Sequence, residues 1–468
     1  MPASAAFPRH AFLTALVLSA TPAVAQKVPS HALTVDPARV AVEGFMGFGA
    51  EWDPYAYDRL GVTDEDFALI ARRIRWMRMP IVRVMMQTKW CYNGAGEFDW
   101  DSRAMQLLYR HLDLCQQAGI TVLLTDWGCE PEWLRIPGVE NVADPKYAQA
   151  IGGYMDHLLN TKGYSCIRYF ILVNEPNFEV KDFDRWQQGL RNVAAEFARR
   201  GLDKQVALVG PDHSNADDWL FNAVDELKDV LGGYDVHRYA NDADVRPGRL
   251  EEYFANQWRY VLAHDPAAAA KPRIVGEAGM NDFAVHPRGN DKIDTFEYGL
   301  FMADYAVQAL RAGSHAVCAW MMCDNSHSGF FWGLWSNKEK GLKLRPWFYS
   351  WSLLARHVPR GSTIYALEQP SPDWRVFAAR TDAPAGQTEG GNWTFCLVNR
   401  GDETVRVRVN VPGGGQVTLR EFLYAKDAAP TDEDGFPIPH RSLNADLADG
   451  LDLECPATAV VLATTMDD

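Results

Sequence analysis

Two short stretches of the chain end in carboxylates where a buried strand should end in nothing of the kind. "FILVNEPNF", residues 170–178, runs from apolar residues straight into Asn174, Glu175 and Pro176. "RIVGEAG", residues 273–279, places Glu277 at the end of a second apolar run. A carboxylate at the mouth of a buried strand is costly unless it is solvated, paired or used. Two such groups facing each other can do a particular job. Breaking a glycosidic bond needs a proton for the leaving oxygen and an anion to stabilise or capture the oxocarbenium-like sugar. One carboxyl must hold its proton near neutral pH while the other is ionised, a difference that burial and a negative neighbour create.

Other residues of the right types fall at comparable places. Glu51, Trp52 and Asp53 close the run at 45–52, Arg83 lies within 81–86, and Asp126 and Trp127 end 120–127. Asp212 and His213 end 205–212, His237 and Tyr239 lie within 234–239, and Trp320 within 316–322. Glu51, Asp126 and Asp212 are rivals to the two glutamates, each able to hold substrate hydroxyls. Each candidate also has a plainer reading. Glu175 could be a surface salt bridge and Glu277 a helix-start acid. Arg83 could be a buried partner for any rim carboxylate, and His237 a satisfied core histidine. Trp52, Trp127 and Trp332 could stack on sugars or pack in the core.

The elements that carry these residues alternate between residues 41 and 357. Strand-like runs at 45–52, 81–86, 120–127, 167–175, 205–212, 234–239, 273–279 and 316–322 are short and nearly continuously apolar. That is the pattern of parallel strands covered on both faces. Between them, 64–78, 102–118, 181–200, 248–263 and 293–312 repeat apolar residues at helical spacing. Thr63 is a helix N-cap, and a last helix runs from Pro346 to His357. Eight strands alternating with eight helices read as an α/β fold, a (β/α)8 TIM barrel, whose active site lies at the C-terminal ends of its strands. An open doubly wound sheet would need a glycine-rich phosphate loop opening an early helix, and "GFMGFGAEW" is a poor match.

From 358 to 468 the texture changes to period-two runs separated by Gly and Pro, which predicts an additional C-terminal antiparallel β-sandwich domain. Residues 26–40 supply an N-terminal strand to it. The sandwich is either a sugar-binding module or a buttress for the barrel, and the absence of an evident exposed aromatic row favours the buttress.

With the barrel count in place, "VNEP" at 173–176 ending the fourth strand and "GEAG" at 276–279 ending the seventh resemble the retaining glycoside hydrolases of clan A. The resemblance covers the whole barrel, and the trailing sandwich is similar to that of families 39, 30 and 51. Family 39, which includes β-xylosidases and α-L-iduronidases, is the nearest, with family 5 or 30 next. It implies Glu175 as general acid/base and Glu277 as nucleophile. It further implies that Asn174 binds the sugar 2-hydroxyl, that Tyr239 and Arg83 attend the nucleophile, and that Trp320 lines the innermost subsite. His237 and Tyr239 match the clan's His-x-Tyr on the sixth strand. The retaining stereochemistry is implied by the resemblance alone.

The remaining signals bound the setting. The chain has 468 residues, 47% hydrophobic and 23% charged, with 16 Trp and 17 Tyr. A net charge of −15 argues against a nucleic-acid partner, which needs a basic footprint. Arg9 precedes an apolar run that ends in Ala23-Val24-Ala25, the pattern of a signal peptide over residues 1–25. The expected product is soluble, periplasmic or secreted, with no membrane partner and an oligosaccharide or polysaccharide substrate. Export permits disulfides; Cys91 with Cys129 and Cys396 with Cys455 are candidate pairs, and buried thiols are the alternative. Asp324, Asn325 and His327, in the long loop 323–335, could meet a metal, but a solvated loop is the simpler reading. The chemistry requires neither a metal nor another cofactor. A metal-dependent barrel hydrolase would want His-x-His on an early strand, which is missing. A non-catalytic glycan-binding barrel would keep the cleft without both glutamates.

Overall fold

The computed structural model describes residues 30–285, 289–325, 330–382 and 391–467. The expected signal peptide and His327 lie outside these residues. Eight parallel strands close into a barrel: β3 (Gly47–Trp52), β4 (Ile81–Met86), β5 (Thr121–Asp126), β6 (Ile167–Leu172), β7 (Ala207–Ser214), β8 (Gly233–Ala240), β9 (Arg273–Met280) and β12 (Ala316–Ala319). β12 pairs with both β9 and β3, which completes the ring. A short hairpin, β10 (Ala284–Val285) and β11 (Gly289–Asn290), stands over the barrel rim.

Each barrel strand is followed by a main helix. Six of the eight expected were placed from the sequence. The other two, Pro145–Asp156 and Asp217–Leu227, complete the set. The Thr63 cap forms as its sequence predicts: its hydroxyl accepts from the Asp66 N–H, and the Asp66 carboxylate accepts from the Thr63 N–H.

The floor of the barrel is apolar, built from Ile81, Leu123, Ile171, Val209, Ile274 and Cys318. Inward-facing residues recur every second position, so the layer above Ile81 and Leu123 contains Arg83 and Thr125. Register sets Glu51 of β3 beside Arg83 of β4. Close strand approach depends on one small residue here: a Cβ at Gly49 would lie 2.2 Å from the Ile81 carbonyl oxygen.

The predicted sandwich is present with one difference. β1 (Ser30–Thr34), β16 (Val405–Asn410) and β19 (Leu451–Cys455) form a three-stranded sheet in which β1 runs parallel to β16. β2 (Val40–Val42), β13 (Thr363–Ala366), β14 (Trp374–Thr381), β15 (Asn392–Asn399), β17 (Gln416–Tyr424), β18 (Arg441–Asp446) and β20 (Ala459–Thr464) form a seven-stranded antiparallel sheet. The N-terminal segment therefore contributes a strand to each sheet rather than one strand to the whole. Strand β18 escaped sequence reading because none of its residues is fully buried and it carries almost no apolar period, and β19 because its alternation spans only five residues.

One face of the larger sheet packs on the smaller through Val376, Phe395, Leu397, Val409 and Leu453. The other face, with Phe377, Cys396, Val398 and Phe422, joins the barrel's own core beside the helices Phe296–Arg311 and Pro346–His357. The sandwich aromatics are thus spent on burial, in keeping with a buttress.

Buried charge pins this interface. Arg375 and Arg400 of the sandwich reach Asp304 of helix Phe296–Arg311 at 2.8 Å and 3.4 Å.

All eight cysteines are buried free thiols. Neither candidate pair is bridged: Cys91 donates to the Thr88 carbonyl at 3.5 Å, and Cys455 to the Ala459 carbonyl at 3.4 Å. Among the described residues, no helix is long and apolar enough to cross a membrane.

Asp304→Ala leaves the fully buried Arg375 guanidinium without its anion. The expected cost is about 3–5 kcal/mol in denaturant or thermal unfolding, against under about 1 kcal/mol for an exposed pair such as Arg408–Asp452 broken by Asp452→Ala.

Candidate active site

Strand β6 stops at Leu172, three residues earlier than the predicted end at 175. The chain then leaves extended geometry, with φ +71° at Val173 and +45° at Glu175. Left-handed backbone at a β-branched residue is strained and survives only where surrounding contacts impose it. Pro176 opens the following turn, Pro176–Glu179, at a position where a helix has no use for an N–H. The question raised by Asn-Glu-Pro has this answer: the strand is broken on purpose so that Glu175 points over the barrel mouth, with its side chain 21% exposed.

Glu277 comes from β9 and is held from both sides. Arg83 donates from Nη1 to Oε1 at 2.8 Å, and the Tyr239 hydroxyl donates to Oε2 at 2.7 Å. The glycines around it are clearances. A Cβ at Gly276 would lie 2.5 Å from Asp235 Oδ1, and one at Gly279 would lie 2.7 Å from the Tyr239 ring. Gly279 therefore lets Tyr239 pass across β9 to the carboxylate, and "GEAG" is not a helix start.

The two glutamates are joined beneath the mouth. Nη2 of Arg83 donates to Asn174 Oδ1 and to Asp212 Oδ2, both at 2.8 Å. Asp212 Oδ1 meets His237 Nε2 at 2.9 Å, and His237 Nδ1 meets Glu175 Oε1 at 3.0 Å. Asp212 Oδ2 also accepts the Glu175 backbone N–H at 3.3 Å. The ladder shifts register at these places, between Pro211 and His213 and between Val236 and His237. Such bulges re-aim side chains and are enriched at barrel rims.

Electrostatics follow from these contacts. Burial opposes charge on His237, but Asp212, Glu277 and Glu175 raise its pKa well above the ordinary value, which favours the imidazolium. Burial opposes ionisation of Asp212, yet Arg83 and His237 hold it below the usual carboxylate range. Burial pushes Glu277 above its ordinary value and the charge of Glu175 adds to this, while His237, Arg83 and Tyr239 oppose it. Glu51, buried with neither carboxylate oxygen hydrogen-bonded, and Asp235, buried beside Asp212, are both raised well above normal, first by burial, which favours their neutral forms.

Several candidates take other places. Glu51 is fully buried in the layer below the mouth and cannot meet substrate directly. Trp52 is core: its indole N–H donates to Tyr57 and its ring packs on Phe67 and His111. Asp126 is saturated by Thr88, Tyr147, Tyr154 and the Gly128 N–H, which removes it as a rival. Trp320 and Trp332 form an apolar wall beside Tyr239, with Trp127 packed against it. Asp324 is engaged by Arg345 through two contacts of 2.7 Å and by the Gly333 N–H, and Asn325 turns to Asp53.

Two clusters bring three potential ligand atoms within 4.8 Å of one another: Glu175, His237 and Glu277, and Asp212, Asp235 and His237. In both, the His237 nitrogens already bridge carboxylates, and Arg83 supplies the positive charge a cation would bring. Sequence reading missed Asp235 and Glu179. Asp235 could have been found, since it lies two residues before His237 on the same strand face.

No family model matches the sequence, and no curated protein matches it. Solved structures share the fold. A glycoside hydrolase family 30 subfamily 8 xylanase from Clostridium acetobutylicum aligns with TM-score 0.65 and 13% identity, over 93% of this chain and 99% of that one. A glucosidase from Croceicoccus marinus aligns with TM-score 0.66 and 12% identity, over 94% and 100%. A monomeric β-xylosidase from Caulobacter crescentus aligns with TM-score 0.62 and 14% identity, over 93% and 99%. The likeness is one of fold, barrel and sandwich together, and it does not single out family 39 over family 30.

Arg83→Met leaves Asp212 and Glu277 buried without their shared cation. We expect destabilisation of about 3–5 kcal/mol, read by denaturant unfolding at neutral pH and diminished at acid pH where the carboxylates are protonated.

Proposed function

We propose that the chain is an exported retaining glycoside hydrolase that cleaves a plant or microbial oligosaccharide or polysaccharide by double displacement. One observation carries this reading: carboxylate oxygens of Glu175 and Glu277 lie within 4.8 Å of each other over the barrel mouth. So close an approach of one oxygen pair favours the near arrangement, roughly 5–5.5 Å between carboxyl groups, in which the second carboxylate attacks directly, over the roughly 6.5–9.5 Å arrangement that leaves room for a water. Fold likeness to solved xylanases, a glucosidase and a xylosidase supports the same class.

The surroundings assign the roles. Glu277 has a donor on each oxygen and is oriented as an anion, the state a nucleophile needs. Glu175 is partly open to solvent and is touched by His237 on one oxygen, which leaves the other to face a leaving group. In the first step Glu277 attacks the anomeric carbon while Glu175 gives its proton to the departing oxygen. In the second, Glu175 takes a proton from water, and that water releases the sugar from Glu277. Asn174, its Oδ1 fixed by Arg83, has its amide N–H groups left to donate to a sugar hydroxyl.

Glu277→Ala should reduce turnover to background on every substrate. Glu175→Gln should slow substrates with poor leaving groups by about 10²–10⁴-fold and spare activated aryl glycosides. Product NMR should show the β or α configuration of the substrate retained; inversion, or full activity in Glu277→Ala, sinks the assignment.

The pH profile offers a separate check. Because Glu277 is raised above its ordinary 4.5, kcat/KM should fall with decreasing pH already above that value. Tyr239→Phe removes a donor to the anion, so its acid limb should move to higher pH.

A further inference from the structure

Six large apolar side chains stand clearly exposed among the described residues: Trp133, Phe178, Phe283, Val285, Leu262 and Ile438. A scattered few are ordinary on any protein surface. Their placement is not scattered. Four of the six lie on loops that follow barrel strands β5, β6 and β9 at the C-terminal rim, and two of these, Trp133 and Phe178, lie after β5 and after β6, the strand that leads into Glu175.

Trp133, in the loop after β5, is 51% exposed yet fixed. Its ring meets the Trp127 ring edge-on at 5.7 Å between centroids. Lys89 reaches over it with Nζ 5.7 Å from the ring centre and donates to its backbone carbonyl. Trp127 in turn packs against the Trp320 and Trp332 wall of the mouth. Phe178, 53% exposed, sits in the turn that Glu175 opens, its N–H bonded to the Glu175 carbonyl at 2.8 Å. Glu179, next in the chain, senses the charge of Glu175 and is faced by the Trp127 indole, which ties the two aromatic positions to one region.

We propose that Trp133 and Phe178 form a leaving-group subsite, a pair of aromatic platforms that take the ring of the sugar expelled when Glu175 delivers its proton. The leaving group departs on the side of the acid, and both platforms belong to loops on that side. A flat apolar face presented to water suits the C–H face of a pyranose, and at Trp133, whose ring is held by Trp127 and Lys89, it costs little ordering on binding. The substrate class that follows is a chain whose leaving portion is itself a sugar ring, not a small alcohol. This deepens the proposed glycosidase reading and rests on it for its catalytic arm.

The experiment compares wild type, Trp133→Ala, Phe178→Ala and, as an exposed control on the sandwich, Ile438→Ala. Substrates are xylohexaose and cellohexaose, against β-xylosyl and β-glucosyl fluoride, whose leaving group is a single atom. We expect kcat/KM on the hexaose used to fall about tenfold or more in both aromatic variants, with the fluoride changed less than about twofold. In a Glu277→Ala background, quenching of tryptophan fluorescence by the same hexaose should require at least tenfold more ligand once Trp133 is removed. An equal loss on fluoride and hexaose, or no loss on the hexaose, overturns the subsite, as does absence of hexaose binding. If wild type binds hexaose through Trp133 but hydrolyses neither substrate, the platform stands and the hydrolase reading fails.

Discussion

The site depends on one buried guanidinium. Arg83 is fully enclosed within the barrel and contacts Glu277, Asn174 and Asp212 from a single fork. Enclosing a charge costs several kcal/mol unless opposite charges and hydrogen bonds complete its shell. Here the shell is completed by alternation: Glu277, Arg83, Asp212, His237 and Glu175 run as minus, plus, minus, plus and the acid, each within hydrogen-bond reach of the next. Asp212 is the member that joins the two halves. It ties the support of one glutamate to the support of the other, and no residue in the chain of contacts can be deleted without stranding a neighbour.

Backbone geometry yields to this network. Val173, Glu175 and Asp212 all adopt positive φ, and the two register shifts fall at Asp212 and His237. Regular strands would send alternate side chains outward into the helix layer. The irregularities bring residues that a strict period of two would separate onto one face. Strain of this kind is stored where surrounding contacts over-determine it, and the contacts here are charge-assisted hydrogen bonds.

This explains what could and could not be read from the chain. The eight barrel strands were legible because burial on both faces writes near-continuous apolar runs, and their ends point to the rim whatever the details. Glu175, Glu277, Arg83, His237 and Tyr239 were legible by that filter. Trp52 and Glu51 passed the same filter and failed in space: Trp52 turns outward against Phe67 and His111, while Glu51 turns inward below the mouth. Strand position gives the end of the barrel but not the side chain's direction near a bulge. Asp126 was undone by Tyr147 and Tyr154, partners from a helix absent from the sequence reading. Trp133 lay in a loop, where no periodicity marks which aromatic is held open to solvent.

The same network accounts for how charge could move without rebuilding the site. Below the mouth, burial pushes Glu51 and Asp235 toward their neutral forms, which leaves the balance to the groups above them. With Glu175 carrying its proton, Arg83 and His237 face Asp212 and Glu277, two cations against two anions. In the proposed first step Glu277 becomes an ester and loses its charge, while Glu175 gives up its proton and gains one. The count is unchanged; the negative charge has only crossed the gap. His237 Nδ1 lies 3.0 Å from Glu175 and 3.6 Å from Glu277, so the same imidazolium attends the charge at either end. An environment already oriented for both charge distributions needs little reorganisation when the bond breaks, which is the condition under which fixed dipoles and charges lower a barrier most.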